Sequence, residues 1–299
     1  MLNLDETAVR RLLHFEDLIP AVAAALAELS AGRVVQPVRV VLPVLSHNGF
    51  FAVMPAYAGH LGAKLVTFYP RNEGIPTHHA LIVLFKPETG EPIAVMDGRL
   101  ITEMRTAAGS AVATQQLARP EASVLAILGS GVQATSHLEA IRLVRPIREV
   151  RVWSPRNADA FARQHGVTVT DTAEEAVRGA DVIVVATSAQ VPVLRGTWLS
   201  AGAHINAVGA TRPEWRELDD ETLARARVFV ESREAASRES GDVIAAKRID
   251  GEIGELVAGA GTGRTSADDI TLYKSVGVAV EDIAAAALVY SAASHESRS

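Results

Sequence analysis

Residues 5–31 carry apolar side chains at three- and four-residue spacing, which predicts a helix. From Pro37 the pattern changes. PVRVVLPV, FFAVMPAYA, AKLVTFYP and HALIVLF are short, rich in β-formers and separated by Pro, Gly and Asn, so they read as strands. LIVLFKPETGEPIAVM has the form of a hairpin turning over residues 87–92. Gly98 then precedes RLITEMRTAAGSAVATQQLA, one long helix ending near Arg119 and Pro120.

After Pro120 the chain alternates between the two element types. SVLAILG is a buried strand, and a glycine-rich turn leads from it into a helix through Val144. EVRVWS is the next strand, followed by an Ala-rich helix, VTVTD and a helix over residues 173–178. DVIVVATS, HINAVGA and RVFVES continue the series. Strands and helices alternating at this length imply a parallel sheet covered on both faces. This α/β, doubly wound domain is placed at residues 120–270. The closing segment, DDITLYKSVGVAVEDIAAAALVYSAA, reads as a short strand and a long helix that return to the first domain, residues 1–119 plus 271–299. The first domain is then discontinuous, with the second inserted in it. The Ala-rich runs at 21–27 and 284–293 suit close helix packing, and only the tail after Ala293 reads as disordered.

The 299 residues suffice for two cores, with 48% apolar and 21% charged residues and a net charge of -6. Mixed charges of this kind argue against a nucleic-acid partner. With no cysteine, thiolate catalysis, disulfides and cysteine-bound zinc are excluded. The N-terminus lacks a signal peptide's pattern, and no apolar run approaches the ~18 residues of a membrane span. The expectation is a cytoplasmic protein without a membrane partner.

The clearest chemical motif is Gly129-Ser130-Gly131-Val132-Gln133-Ala134, directly after a buried strand and at the start of a helix. In a Rossmann-type dinucleotide site, Gly129 would permit the tight turn and Gly131 the close approach of pyrophosphate. Ala134 would let helix and strand pack closely. The helix N-terminus supplies free N–H groups to the phosphates. The second strand ends Trp153-Ser154-Pro155-Arg156-Asn157, without the acid that commonly holds the ribose hydroxyls of NAD. Ser154 and Arg156 can instead bind a 2′-phosphate. NADP(H) is therefore favoured, with NAD(H) possible, against the alternative that Arg156 is an ordinary solvated loop residue. His78 and His79 are adjacent on a strand and point to opposite faces, so no metal site is expected there.

Arg39 in PVRVV, Lys64 in AKLVTFY and Arg105 in MRTAA are basic residues among apolar neighbours. Singly, each reads as an edge or solvent-facing residue. Together they suggest a carboxylate pocket. At this point the chain resembles the ornithine cyclodeaminase/mu-crystallin family, and more closely its mu-crystallin, ketimine reductase branch. The segments that carry the resemblance are VMPAY, KLVTFY, IAVMDGRLIT, RTAA, GSGVQA, HINAVGATRPEWRELDD, ESGDV and YKSVGVAVED, in one order over nearly the whole chain.

The resemblance implies a homodimer associating through the N-terminal sheets, so that the discontinuous α+β domain binds substrate and dimerises. It also implies an active site in a cleft between the domains. Carried over residue by residue, Arg39, Lys64 and Arg105 fall on positions for the substrate carboxylate and imine. Thr77, His78, Arg105 and Thr106 fall near the nicotinamide, and Gly131, Val132, Gln133, Thr187, Ser188, Val208 and Ser275 on dinucleotide positions, to which the motif adds Gly129, Ser154, Arg156 and Asn157. Glu239 falls near a hormone-like ligand of the mu-crystallin branch.

There are departures. The aspartate of ornithine cyclodeaminases is replaced by Thr211, which has neither charge nor useful basicity. Pro155 shortens the adenosine loop and unsettles the register of Arg156, and Tyr69-Pro70-Arg71-Asn72 is more like bacterial members. The expected chemistry is NAD(P)H-dependent reduction of a cyclic ketimine carboxylate, of the Δ1-piperideine-2-carboxylate or Δ1-pyrroline-2-carboxylate type, to the cyclic L-amino acid. Lys64 either donates the proton or anchors the carboxylate. A cyclodeaminase or alanine dehydrogenase-like enzyme, and an NADPH-dependent binding protein for a thyroid hormone-like ligand, are the alternatives.

Overall fold

The Asp5 side chain accepts the amide of Ala8 and starts a helix that its own apolar pattern soon ends. In the computed structural model, which describes residues 1–296, the expected helix over 5–31 is two helices, α1 (Glu6–Leu12) and α2 (Phe15–Ser30), preceded by strand β1 (Leu2–Leu4). Leu13 and Phe15 would point about 200° apart on one continuous helix. An extended break at Leu13 and His14 lets both side chains be buried. Five strands follow: β2 (Val40–Val44), β3 (Gly49–Tyr57), β4 (Leu61–Phe68), β5 (His78–Phe85) and β6 (Pro92–Asp97). They form a six-stranded sheet in the order β1-β6-β5-β4-β3-β2, with β2 to β6 antiparallel and β1 parallel to β6. Helix α3 (Arg99–Leu117) comes next.

The following elements are β7 (Val124–Leu128), α4 (Val132–Val144), β8 (Glu149–Trp153), α5 (Ala158–His165), β9 (Thr168–Val169), α6 (Ala173–Val177), β10 (Val182–Val185) and β11 (His204–Ala207). Then come α7 (Asp220–Arg225), β12 (Ala226–Val230), α8 (Arg233–Glu239), α9 (Gly241–Ala246), β13 (Gly251–Glu252), α10 (Ile253–Val257) and β14 (Ile270–Lys274). Their sheet is wholly parallel, in the order β13-β12-β14-β11-β10-β7-β8-β9. Both faces are buried, as an all-parallel sheet requires. Ala126 and Leu128 of β7 enter one apolar core, and Leu125 and Ile127 the other. This is the doubly wound Rossmann-type sheet, and its strand order reverses between β7 and β10. Helix α11 (Ala279–Glu296) ends the described chain.

The chain divides into two compact units, one of Met1–Arg105 with the residues from Gly277 onward, the other Thr106–Val276. Both expected boundaries, 119/120 and 270/271, shift. The run ITLYK is fully buried and pairs in parallel with β11 and β12, so β14 belongs to the second sheet, and the first unit resumes only at Gly277. The second unit also starts earlier, within α3 at Thr106. The order expected to end at Ala293 continues in α11 to Glu296; the rest of that tail lies outside the described residues.

In the first unit the strands alternate strictly. Ala52, Met54 and Ala56 of β3, Ala80, Ile82 and Leu84 of β5, and Ala94 and Met96 of β6 are buried on one face; α11, itself packed on α2, covers β3 to β5, and α1 packs on β6. Lys64 occupies a position of this same buried face on β4. No helix among the described residues is long and apolar enough to cross a membrane.

Candidate active site

Lys64 is placed by the two-residue period of β4 where an apolar side chain would ordinarily sit, and it is only 2% exposed. Such burial is costly unless the charge is paired. The partner is Asp282, in the first turn of α11, whose Oδ2 lies 2.7 Å from the lysine Nζ. Arg105 of α3 closes the group. Its Nε donates to Asp282 Oδ1 at 3.0 Å and a terminal nitrogen donates to Glu281 Oε2 at 3.1 Å. Arg39, just before β2, donates to the Gly277 carbonyl at 2.7 Å.

Gly277 is required by this packing. Its φ is +76°, and a Cβ there would lie 2.5 Å from the Arg105 guanidinium. Lys64, Arg105, Glu281 and Asp282 thus meet in one buried cluster, with the partly buried Arg39 at its margin. The Lys64 ammonium is lowered to about 8, chiefly by burial and also by Arg105 and Arg39, with Asp282 opposing them. Asp282 is held below the ordinary carboxylate range by Lys64 and Arg105, against the effect of its own burial. His78, the first residue of β5, is lowered to about 4 by burial and by Lys64 and Arg105, so it is a neutral imidazole near pH 7. Thr77 precedes it on the exposed loop, and its carbonyl accepts the Tyr69 amide at 2.7 Å.

The second unit gathers the remaining candidates at one edge of its sheet. Gly129, Ser154, Thr187, Val208 and Ser275 each follow the C-terminal end of a parallel strand by one or two residues. That edge, near the order reversal, is where open α/β sheets bind ligands. Gly129 has φ +120°, and a Cβ would lie 2.3 Å from the Ala186 carbonyl oxygen, so only glycine fits. Gly131 caps α4, and a Cβ there would meet nothing within 4 Å. The next residue, Val132, is 54% exposed. Gln133 Oε1 is buried with no hydrogen-bond partner among the described residues. Open space at Gly131 and a helix start without a side-chain cap together fit the pyrophosphate of a dinucleotide.

Ser130 Oγ donates to the Arg156 carbonyl at 2.8 Å and lies 3.1 Å from Ser154 Oγ, tying the glycine turn to the loop after β8. Arg156 and Asn157 are exposed on that loop, with Asn157 in the left-handed region at φ +63°. Thr187 donates both its amide and its hydroxyl to Glu217 Oε1, and Ser188 beside it is exposed. Val208 continues the ladder by donating its amide to the Val185 carbonyl at 2.9 Å, and Ser275 Oγ donates to Glu231 Oε1 at 2.6 Å. Thr106 is buried in α3. Thr211 is exposed, one residue past Ala210 at φ +50°.

The sequence pattern singles out the basic residues of the first cluster but not their acidic partners. Glu281 and Asp282 stand together in an otherwise apolar, Ala-rich segment, and that was the available signal. Lys274, Glu217 and Asp242, buried in the second unit, were missed as well; a lysine closing the apolar run ITLYK was the clue.

Comparison with known proteins gives the following. The sequence model of the ornithine cyclodeaminase/mu-crystallin family matches residues 2–297. The ketimine reductase mu-crystallin of Mus musculus is 50% identical over 286 residues, covering 91% of each chain. Among solved structures, the Δ1-pyrroline-2-carboxylate reductase of Thermococcus litoralis, in complex with NADH and L-proline, superimposes with a TM-score of 0.95 at 38% identity, over 99% of this chain and 98% of that one. An archaeal alanine dehydrogenase dimer with bound NAD gives a TM-score of 0.94 at 35% identity, over 99% and 97%.

Proposed function

We propose that this chain, which belongs to the ornithine cyclodeaminase/mu-crystallin family, is an NAD(P)H-dependent oxidoreductase that reduces the C=N bond of a cyclic 2-carboxy imine to the cyclic L-amino acid. The observation that carries the reading is the buried cluster of Lys64, Arg105, Asp282 and Glu281, with the partly buried Arg39 beside it. With Lys64 protonated, its three cations and two carboxylates leave one net positive charge, which suits a substrate with a single carboxylate. Arg39 and Arg105 supply the field that holds this carboxylate.

The dinucleotide, when bound, supplies a hydride from nicotinamide C4 to the imine carbon. Lys64 donates the proton that ends on the ring nitrogen, so one C–H and one N–H bond replace the C=N π bond. Its value near 8 suits a general acid at neutral pH, and Asp282 keeps it charged until the substrate arrives. His78, neutral, adds no competing charge. Thr211 stands where cyclodeaminases carry aspartate, which disfavours ornithine cyclisation.

Gly129, Gly131, Val132, Gln133, Thr187, Ser188, Val208 and Ser275 would hold the dinucleotide, and Thr77, His78, Arg105 and Thr106 are the residues assigned to its nicotinamide. NADPH is preferred over NADH, because the end of β8 offers Ser154, Arg156 and Asn157 and no acid. The chain acts as a homodimer. The outer face of the first sheet leaves Val53, Leu65, Val83 and Val95 partly exposed and Leu81 half-exposed, an apolar surface of the kind that two-fold association covers.

The test is NADPH consumption with Δ1-piperideine-2-carboxylate and Δ1-pyrroline-2-carboxylate beside ammonia release from ornithine. Imine-dependent oxidation is expected, abolished in Lys64→Met with cofactor binding spared. Rapid proline formation from ornithine without imine reduction would overturn the assignment.

A further inference from the structure

A second buried ionic cluster, within the second unit, has no part in the proposed proton and hydride transfer. Glu217, in the segment between β11 and α7, is fully buried. Its Oε1 accepts the Thr187 amide at 2.9 Å and the Thr187 hydroxyl at 2.6 Å. A Cβ on Gly209 would lie 2.5 Å from that same oxygen and 2.4 Å from the Thr187 carbonyl oxygen. The missing side chain at 209 is therefore what lets the carboxylate touch the loops after β10 and β11 at once. Glu217 Oε2 is buried with no hydrogen-bond partner among the described residues. Lys274, the last residue of β14, directs Nζ to the carbonyls of Ala207 and Ser275, at 3.3 and 3.2 Å, and of Gly209. Asp242 of α9 accepts the amides of Glu217 and Leu218 at 3.2 and 3.1 Å, and the Arg216 guanidinium stands 3.9 Å from it.

We infer that Glu217 is a positioning residue for the dinucleotide: its carboxylate, bonded to Thr187 and set against Gly209, fixes the loops that carry Thr187 and Val208 in the arrangement that receives the cofactor. The inference rests on the reading of Thr187, Val208 and Ser275 as dinucleotide positions. A glutamine could accept the same two hydrogen bonds without a buried charge, so Glu217→Gln isolates the part that the charge plays. Burial pushes this carboxyl up to about 7, with Lys274 and Thr187 lowering it and Asp242 raising it. The ionised form is the stronger acceptor. The two loops are thus pinned above neutral pH and loosened below it.

NADH is the probe, because it lacks the 2′-phosphate, which would itself titrate near 6. Its binding is measured by fluorescence, without substrate, at pH 6 and pH 8. The unmodified protein should bind about tenfold more tightly at pH 8. Glu217→Gln should show one affinity at both pH values, near the acid value of the unmodified protein, with the imine KM little changed. If Glu217→Gln retains both the affinity and its pH response, Glu217 only supports the fold and the inference is overturned, whatever the change in Tm. Where that variant does not fold, a flat affinity in the unmodified protein between pH 6 and pH 8 overturns it equally. Absence of all dinucleotide binding would overturn this inference and the cofactor assignment together. Tight, pH-dependent NADH binding without imine turnover would support it while sinking the reductase reading.

Discussion

Asp282→Asn tests the proposed proton donor through its counter-ion. Asp282 is the principal influence keeping Lys64 protonated; burial, Arg105 and Arg39 all act the other way. The charges meet at 2.7 Å. Even at the dielectric constant of water this attraction is about 1.5 kcal/mol, and at an effective value near 20 it is about 6 kcal/mol. Since 1.36 kcal/mol is one tenfold step in a proton equilibrium, removing the charge disfavours the ammonium by at least about tenfold.

The assay is kcat/KM for imine reduction against pH, which reports the free enzyme. The unmodified enzyme should lose activity above about pH 8, as Lys64 gives up its proton. In Asp282→Asn this alkaline limb should move to about pH 7 or lower, with activity best preserved on the acid side. Ionisation of the imine itself contributes equally to both profiles and cancels in the comparison. Stability follows the same linkage. The folded value of Lys64, about 8, lies below its ordinary 10.5, so between these values the unfolded chain holds a proton that the native protein has released. The Lys64 contribution to stability therefore rises with pH through that window, and in the variant the rise should begin at lower pH. An alkaline limb that stays at pH 8 in Asp282→Asn, or a loss of activity equal at every pH, would refute the role given to Lys64.

The two glycines of the nucleotide turn should separate cleanly. Gly129→Ala forces a Cβ to 2.3 Å from the Ala186 carbonyl oxygen at φ +120° and should lower Tm, whereas Gly131→Ala meets no protein atom and should leave Tm unchanged while weakening NADPH binding, both read by thermal melts with and without cofactor. Arg156→Ala should reduce the ratio of kcat/KM for NADPH over NADH by about tenfold or more, as expected for a lost charged hydrogen bond to phosphate; an unchanged ratio would remove Arg156 from the 2′-phosphate site. Gly277→Ala places a methyl group 2.5 Å from the Arg105 guanidinium and should raise the imine KM more than it lowers kcat, measured in steady state. Light scattering should give the mass of a dimer, and Leu81→Glu, at the half-exposed position of the apolar sheet face, should shift it toward the monomer.

The chain by itself determined whatever depends on neighbours in sequence. Strand periods, the hairpin over residues 87–92 and the glycine turn after SVLAIL are local patterns, and they position Gly129 and Gly131 without reference to distant residues. Lys64, Arg39 and Arg105 were legible only as a set: one cation beside apolar residues reads as an edge residue, but three pose a conflict of charge and burial that a carboxylate pocket answers. Tertiary structure decided how that conflict is resolved. Asp282 pairs with Arg105 across 177 positions of chain, and Gly277 admits the guanidinium only because α11 starts beside it. The insertion of β14 between β11 and β12 was likewise invisible, since a buried five-residue run fits either sheet and only the pairing of its backbone selects one. The sequence pattern assigns Glu217 no role; its burial against Thr187 and Gly209 depends on three strand ends meeting, which no local pattern encodes.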